Sequence, residues 1–119
     1  MEPTVVLKKR LRKMINDLIP AGGSDEDTTF SDLELDDIIS ESNNIYRAAS
    51  EAWSIKASLL QGEIESYSAG NEKYELTPLK DRLHHALSMS RMYEEKAESL
   101  EAEEPQGSVI LKFKSPDVI

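Results

Sequence analysis

Residues 45–66 constrain this chain more than any other stretch. At about 100° per residue, Ile45, Ala48, Ala52, Ile55 and Leu59 fall on one strip of a helix. Tyr46, Ala49, Trp53, Ala57, Leu60 and Ile64 fall on an adjacent strip. Together the strips cover roughly half of the circumference, more than a surface helix needs to seat itself on one core. Such a helix has neighbours on two sides. Either it lies centrally in its own domain, or the strip of Tyr46, Trp53 and Leu60 faces another subunit or partner. Lys56 falls between the strips, where its amine must snorkel to water or meet a carboxylate.

The flanking segments repeat the helical period. Over 4–19, Leu7, Leu11, Met14, Ile15 and Leu18 share a face, and Pro20-Ala21-Gly22-Gly23 is the expected stop. Ser31 with Glu34 three residues on reads as a capping box, with Phe30 at the staple position and Leu35, Ile38 and Ile39 on the apolar side. Asn43 or Asn44 is suited to cap the long helix. Residues 67–76 read as a mobile connection. Thr77-Pro78 then opens a last helix, with Leu79, Leu83, Ala86, Ser90, Tyr93 and Ala97 on one face, running to Pro105. Beyond Pro105-Gln106-Gly107, residues 108–114 read as one strand.

The fold expected is therefore all-α: a small bundle of three to four helices with a flexible loop and an extended C-terminal tail strand. Its 119 residues suit one domain, taken as a helical unit over 1–104 and a tail over 105–119. A lone strand leaves its backbone hydrogen bonds unmade. Val109, Ile110, Leu111 and Phe113 are thus expected to pair with a sheet edge of a partner or a neighbouring subunit; otherwise the tail is disordered when free. Leu, Ile, Val and Phe make up about 24% of the chain, just above the range of disordered sequences. The core is expected to be thin and completed by a neighbour.

Chemistry is sparse. There is no cysteine, which excludes disulfide scaffolds and thiolate sites. Residues 25–36 lack the Gly and Glu that a calcium loop needs at its sixth and twelfth positions. His84 and His85 are adjacent, so on a helix they diverge by about 100° and cannot share one ion. One is expected at the core margin and one exposed. No serine sits in a nucleophile-elbow context, and no catalytic set, metal or cofactor is expected. No apolar run is long enough to span a bilayer, and Met1-Glu2-Pro3 does not open a signal peptide, so a cytosolic origin is expected. The net charge of -9 argues against autonomous nucleic-acid binding. Yet Lys8, Lys9, Arg10, Arg12 and Lys13 crowd one segment. They form either a solvated face or a contact for phosphate or an acidic partner, with Lys8, Lys9, Arg12 and Lys13 as the candidates.

In order along the chain stand Phe30-Ser31-Asp32-Leu33-Glu34, then Arg47-Ala48-Ala49, Trp53 and Lys56-Ala57, then His85-Ala86-Leu87-Ser88-Met89-Ser90 with Tyr93. This series resembles the small head–tail connector, or adaptor, proteins of long-tailed bacteriophages, over roughly residues 5–97. The chain departs from that pattern before the last helix, where Lys73, Lys80 and Arg82 are diluted by Glu72 and Glu75, and the tail matches no motif. The resemblance implies a structural virion protein, not an enzyme. Such proteins form rings, commonly of twelve copies, that join the portal to a stopper or tail-completion protein. DNA passes through their channel without specific binding. It also implies residence at the head–tail interface of the virion and in the host cytoplasm during assembly, with no membrane partner. The alternative is a small helical DNA-binding regulator, for which the basic first helix is the argument.

Overall fold

The computed structural model describes residues 1–69 and 76–103. Four helices follow one another: α1 (Val5–Met14), α2 (Asp32–Ser40), α3 (Ile45–Ala69) and α4 (Leu76–Glu103). A single 3₁₀ turn, Asp25–Asp27, precedes α2. The protein is all-α. The strand expected over 108–114 and most of the 67–76 connection lie outside the described residues. Residues 67–69, expected in that connection, instead complete α3.

Helix α1 is shorter than the period predicts. Thr4 caps it, its hydroxyl accepting from Leu7 N at 3.1 Å. It stops at Met14 because Asn16 adopts a left-handed conformation, φ 55°. Asn16 N then bonds Lys13 O and Asp17 N bonds Arg12 O, the paired bonds of a Schellman termination with asparagine in the glycine position. Leu18, expected on the buried face, is therefore outside the helix and exposed. The turn at Pro20–Gly23 comes only afterwards, with Gly22 at φ 78° and Gly23 N on Pro20 O.

Helix α2 begins as its sequence dictates. Ser31 accepts from Glu34 N at 3.1 Å and Glu34 accepts from Ser31 N at 2.8 Å. Phe30 and Leu35, the staple pair, are both buried. Asn44, rather than Asn43, caps α3 by accepting from Arg47 N. Helix α4 starts one residue before Thr77, which places Pro78 in the first turn, where its missing N–H still costs nothing.

Helices α3 and α4 form an antiparallel hairpin, about 38 and 42 Å long at 1.5 Å per residue. They approach closely because small residues line the seam. Ala57 on α3 and Ala86 and Ala97 on α4 are all buried. Ser50, Ser54 and Ser90 exchange hydrogen bonds across it, including a Ser54–Ser90 hydroxyl pair at 2.7 Å. Helices α1 and α2 pack on the first half of α3, where Leu11, Ile15, Leu35, Ile38 and Ile39 join Ile45, Ala48 and Trp53 in one core. The Cα trace spans 56 × 34 × 16 Å along its principal axes, about two packed helices in its thinnest direction. The result is a slab.

Candidate partner-binding surface

Two joints fix α1 and α2 to the hairpin. At the first, Arg12 is only 3% exposed. Its guanidinium donates to Asp17 O at 3.2 Å, Phe30 O at 3.0 Å and Asp32 Oδ1 at 2.9 Å, and meets Asp17 Oδ2 at 3.4 Å. Asp17 in turn accepts from Thr29 N at 2.8 Å and Phe30 N at 3.0 Å. A buried cation facing a buried carboxylate, with backbone groups meeting the remaining valences, ties the end of α1 to the start of α2. Arg12 was a candidate for an outside phosphate or acidic partner; here its fork is consumed inside the protein. Lys8 is likewise engaged, with its amine 3.2 Å from Asp36 Oδ1.

The second joint is Trp53. The indole is 5% exposed and its Nε1 donates to Met14 O at 3.1 Å, one of the carbonyls that the end of α1 leaves free. Lys56 Nζ donates to Ile15 O at 2.8 Å and lies 4.6 Å from the centre of the Trp53 ring. Lys56, half-buried at the wall of an open cleft, forms no ion pair with a carboxylate among the described residues: it caps a helix C-terminus, where the dipole favours a cation. Burial holds its pKa below the ordinary lysine value, opposed by nearby Asp17.

The expected interface strip is covered by the chain's own α4 along its middle. Tyr46 stacks on Tyr93 with ring centres 6.3 Å apart, and Trp53 meets the edge of His85 at 5.4 Å. Trp53 is therefore core, and Tyr46 is half-buried. Burial, with Tyr46 adding to it, raises the pKa of Tyr93. Leu60, half-buried, lines an open cleft of about 640 Å³ with Trp53, Lys56, Asp81, Arg82 and His85. Val109, Ile110, Leu111 and Phe113 lie outside the described residues.

At the far end of the hairpin Arg47 grips Glu101 with two parallel bonds, Nε to Oε2 at 3.0 Å and Nη2 to Oε1 at 2.9 Å, and Asn44 Nδ2 adds a third at 3.1 Å. The Arg47 hydrogen bond holds the Glu101 carboxyl below its ordinary pKa.

The remaining surface carries scattered exposed apolar side chains, Val6, Leu33 and Leu59 among them, and two groups of charge. Lys9, Arg10 and Lys13 are exposed on α1, and Glu94, Glu95 and Glu98 are exposed on α4. His84 and His85 are both exposed; His85 was one of two candidates for the core margin, and it reaches Trp53 only by its edge. Among the described residues no group of His, Asp or Glu is arranged to hold a metal ion. The acidic residues of 25–36 have local partners instead. Asp27 accepts from Ser24 N and Asp25 from Asp32 N. No described helix is long and apolar enough to cross a membrane.

The sequence pattern missed the Asp17 network, because its partners are backbone N–H groups twelve and thirteen residues away that carry no side-chain signature. The one signal available was a charged Asp17 set between Ile15 and Leu18 near the end of the apolar periodic run. Comparison of the chain with protein-family models, curated proteins and solved structures finds no match.

Proposed function

We propose that the protein is a connector: a structural subunit repeated as a ring at the head–tail junction of a long-tailed bacteriophage, between the portal and a stopper or tail-completion protein. The observation that carries this reading is where the resembling segments sit. Phe30-Ser31-Asp32 closes the α1–α2 joint, Arg47 clamps the end of α4, and Trp53 and Lys56 hold the end of α1. The residues that carry the resemblance thus build a rigid frame, and a frame is what a load-bearing ring subunit requires. A slab whose Cα trace is 16 Å deep suits side-by-side packing around a channel.

The regulator reading loses support from the same geometry. Arg12 and Lys8 are engaged within the chain, and the net charge of -9 repels phosphate. In the connector reading that charge is useful, since an acidic wall lets a duplex slide where a basic wall would hold it. DNA passes without specific binding. Val109, Ile110, Leu111 and Phe113 remain, on their sequence pattern, the segment proposed to add to a strand of the portal or of a neighbouring subunit.

The test is location. Antibody raised against the full chain is applied to virions from the strain that carries its gene and viewed by electron microscopy. Label at the head–tail junction of each particle is the expected result. Particles free of the protein, or label spread over the capsid, would overturn the reading.

A further inference from the structure

The exposed face of α1 is built from Val6, Lys9, Arg10 and Lys13, at the i, i+3, i+4, i+7 spacing of one helix side. The exposed face of α4 carries Leu87, Arg91, Glu94, Glu95 and Glu98, again on one side. The three cations of the first face and the three carboxylates of the second have the same internal spacing: two adjacent residues and a third, three positions on. None of these six side chains forms an ion pair or side-chain hydrogen bond among the described residues. Within one molecule the two triads are not partners: no ion pair joins them, and α1 and α4 each pack on α3 rather than on one another. The basic face thus has no carboxylate partner of its own among the described residues, while on the acidic face Arg91 and, at longer range, Arg47 offset the carboxylates only in part.

We propose that Lys9, Arg10 and Lys13 of one copy dock on Glu94, Glu95 and Glu98 of a second copy. The contact is heterologous: each molecule offers one triad and receives the other. Repetition of such a contact gives a ring when its rotation closes. Three ion pairs at matched spacing set register and orientation, and ring closure adds affinity. The inference rests on the ring reading and names the surfaces that join its subunits.

Two variants of the full chain test it, K9E/R10E/K13E and E94K/E95K/E98K. All six positions are exposed, and circular dichroism confirms that each variant is folded. Association is read by sedimentation velocity over a concentration series. The wild type is expected to self-associate. Each variant alone should associate more weakly by roughly tenfold or more, since each sets like charges face to face. An equimolar mixture should regain association, because each variant then supplies the triad the other requires. That recovered association should weaken as salt rises from about 50 mM to about 500 mM.

A wild type that stays monomeric throughout overturns the proposal. So does a mixture that does not recover, or association untouched by either reversal. Lys9, Arg10 and Lys13 binding duplex DNA in place of a second copy overturns it in favour of a phosphate contact. The two readings fail separately. Virions that carry a normal ring of either variant refute the triad contact and leave the connector standing. Wild-type association rescued in the mixture, with the protein absent from virions, refutes the connector and leaves the contact.

Discussion

Replacing Arg12 with methionine removes one charge from the α1–α2 joint while keeping much of the side chain's length. Asp17 O and Asp32 Oδ1 lose this donor, Phe30 O keeps only the bond from the Thr28 hydroxyl, and the Asp17 carboxylate keeps its burial without its cation. Removing one member of a buried pair costs about 3–5 kcal/mol. Two effects place R12M at the lower end. Asp17 retains its bonds from Thr29 N and Phe30 N, and the Asp32 side chain is half exposed, so water can replace its lost donor. A loss of about 3 kcal/mol corresponds to a melting point lower by roughly 10 °C in a chain of this size. The assay is urea unfolding followed by fluorescence of Trp53, the sole tryptophan, with circular dichroism as a second probe. R10M, at an exposed position on the same helix, serves as the control and should change stability by less than about 0.5 kcal/mol. The double variant R12M/D17N should cost less than the sum of the single changes by at least about 1 kcal/mol, because the two residues share one network. An R12M variant within about 1 kcal/mol of wild type, or strictly additive effects, would refute the claim that this ion pair joins the helices.

Other elements yield their own outcomes. S31A removes the cap of α2 and should cost about 1 kcal/mol in the same urea assay. A86L forces three extra carbons into the core, where Ala86 is 1% exposed, and should destabilise by about 1–3 kcal/mol in a thermal melt. Glu101 governs part of the acid response. Its folded pKa lies below the ordinary 4.5 because Arg47 bonds the charged form. The stability it contributes is present above pH 4.5 and is lost as pH falls from there through the lower folded value. E101Q should therefore flatten the acid limb of a stability–pH curve below that point, leaving the curve's shape near neutral pH unchanged.

Much of this architecture is legible in the sequence because it rests on local chemistry. Ser31 and Glu34 specify the start of α2 by a bond pattern contained within four residues. The faces of α3 and α4 follow from 3.6-residue periodicity, so Leu79, Ala86, Ser90 and Ala97 are buried as the spacing requires. Termination of α1 was misplaced by five residues because an apolar periodic run continues to Leu18, while the stop depends on one asparagine able to take a positive φ. Basic residues in α1 look equivalent in sequence, yet Arg12 is enclosed and Lys9 is not. That difference arises from where Phe30 and Asp32 return to the helix, a long-range fact. The Tyr46–Trp53–Leu60 strip was open to two readings for the same reason. Its pattern states that a neighbour exists, but not that the neighbour is α4 of the same chain.

The central claim is that this slab is a ring subunit at the head–tail junction. A cryo-electron microscopy reconstruction of that junction, in virions from the strain carrying the gene, tests it most directly. The account predicts a ring in which the α3–α4 hairpin, about 40 Å long, recurs around the channel, with α1 of each copy facing α4 of the next. A junction whose density accommodates no such hairpin, or particles whose protein content lacks this chain, would contradict it.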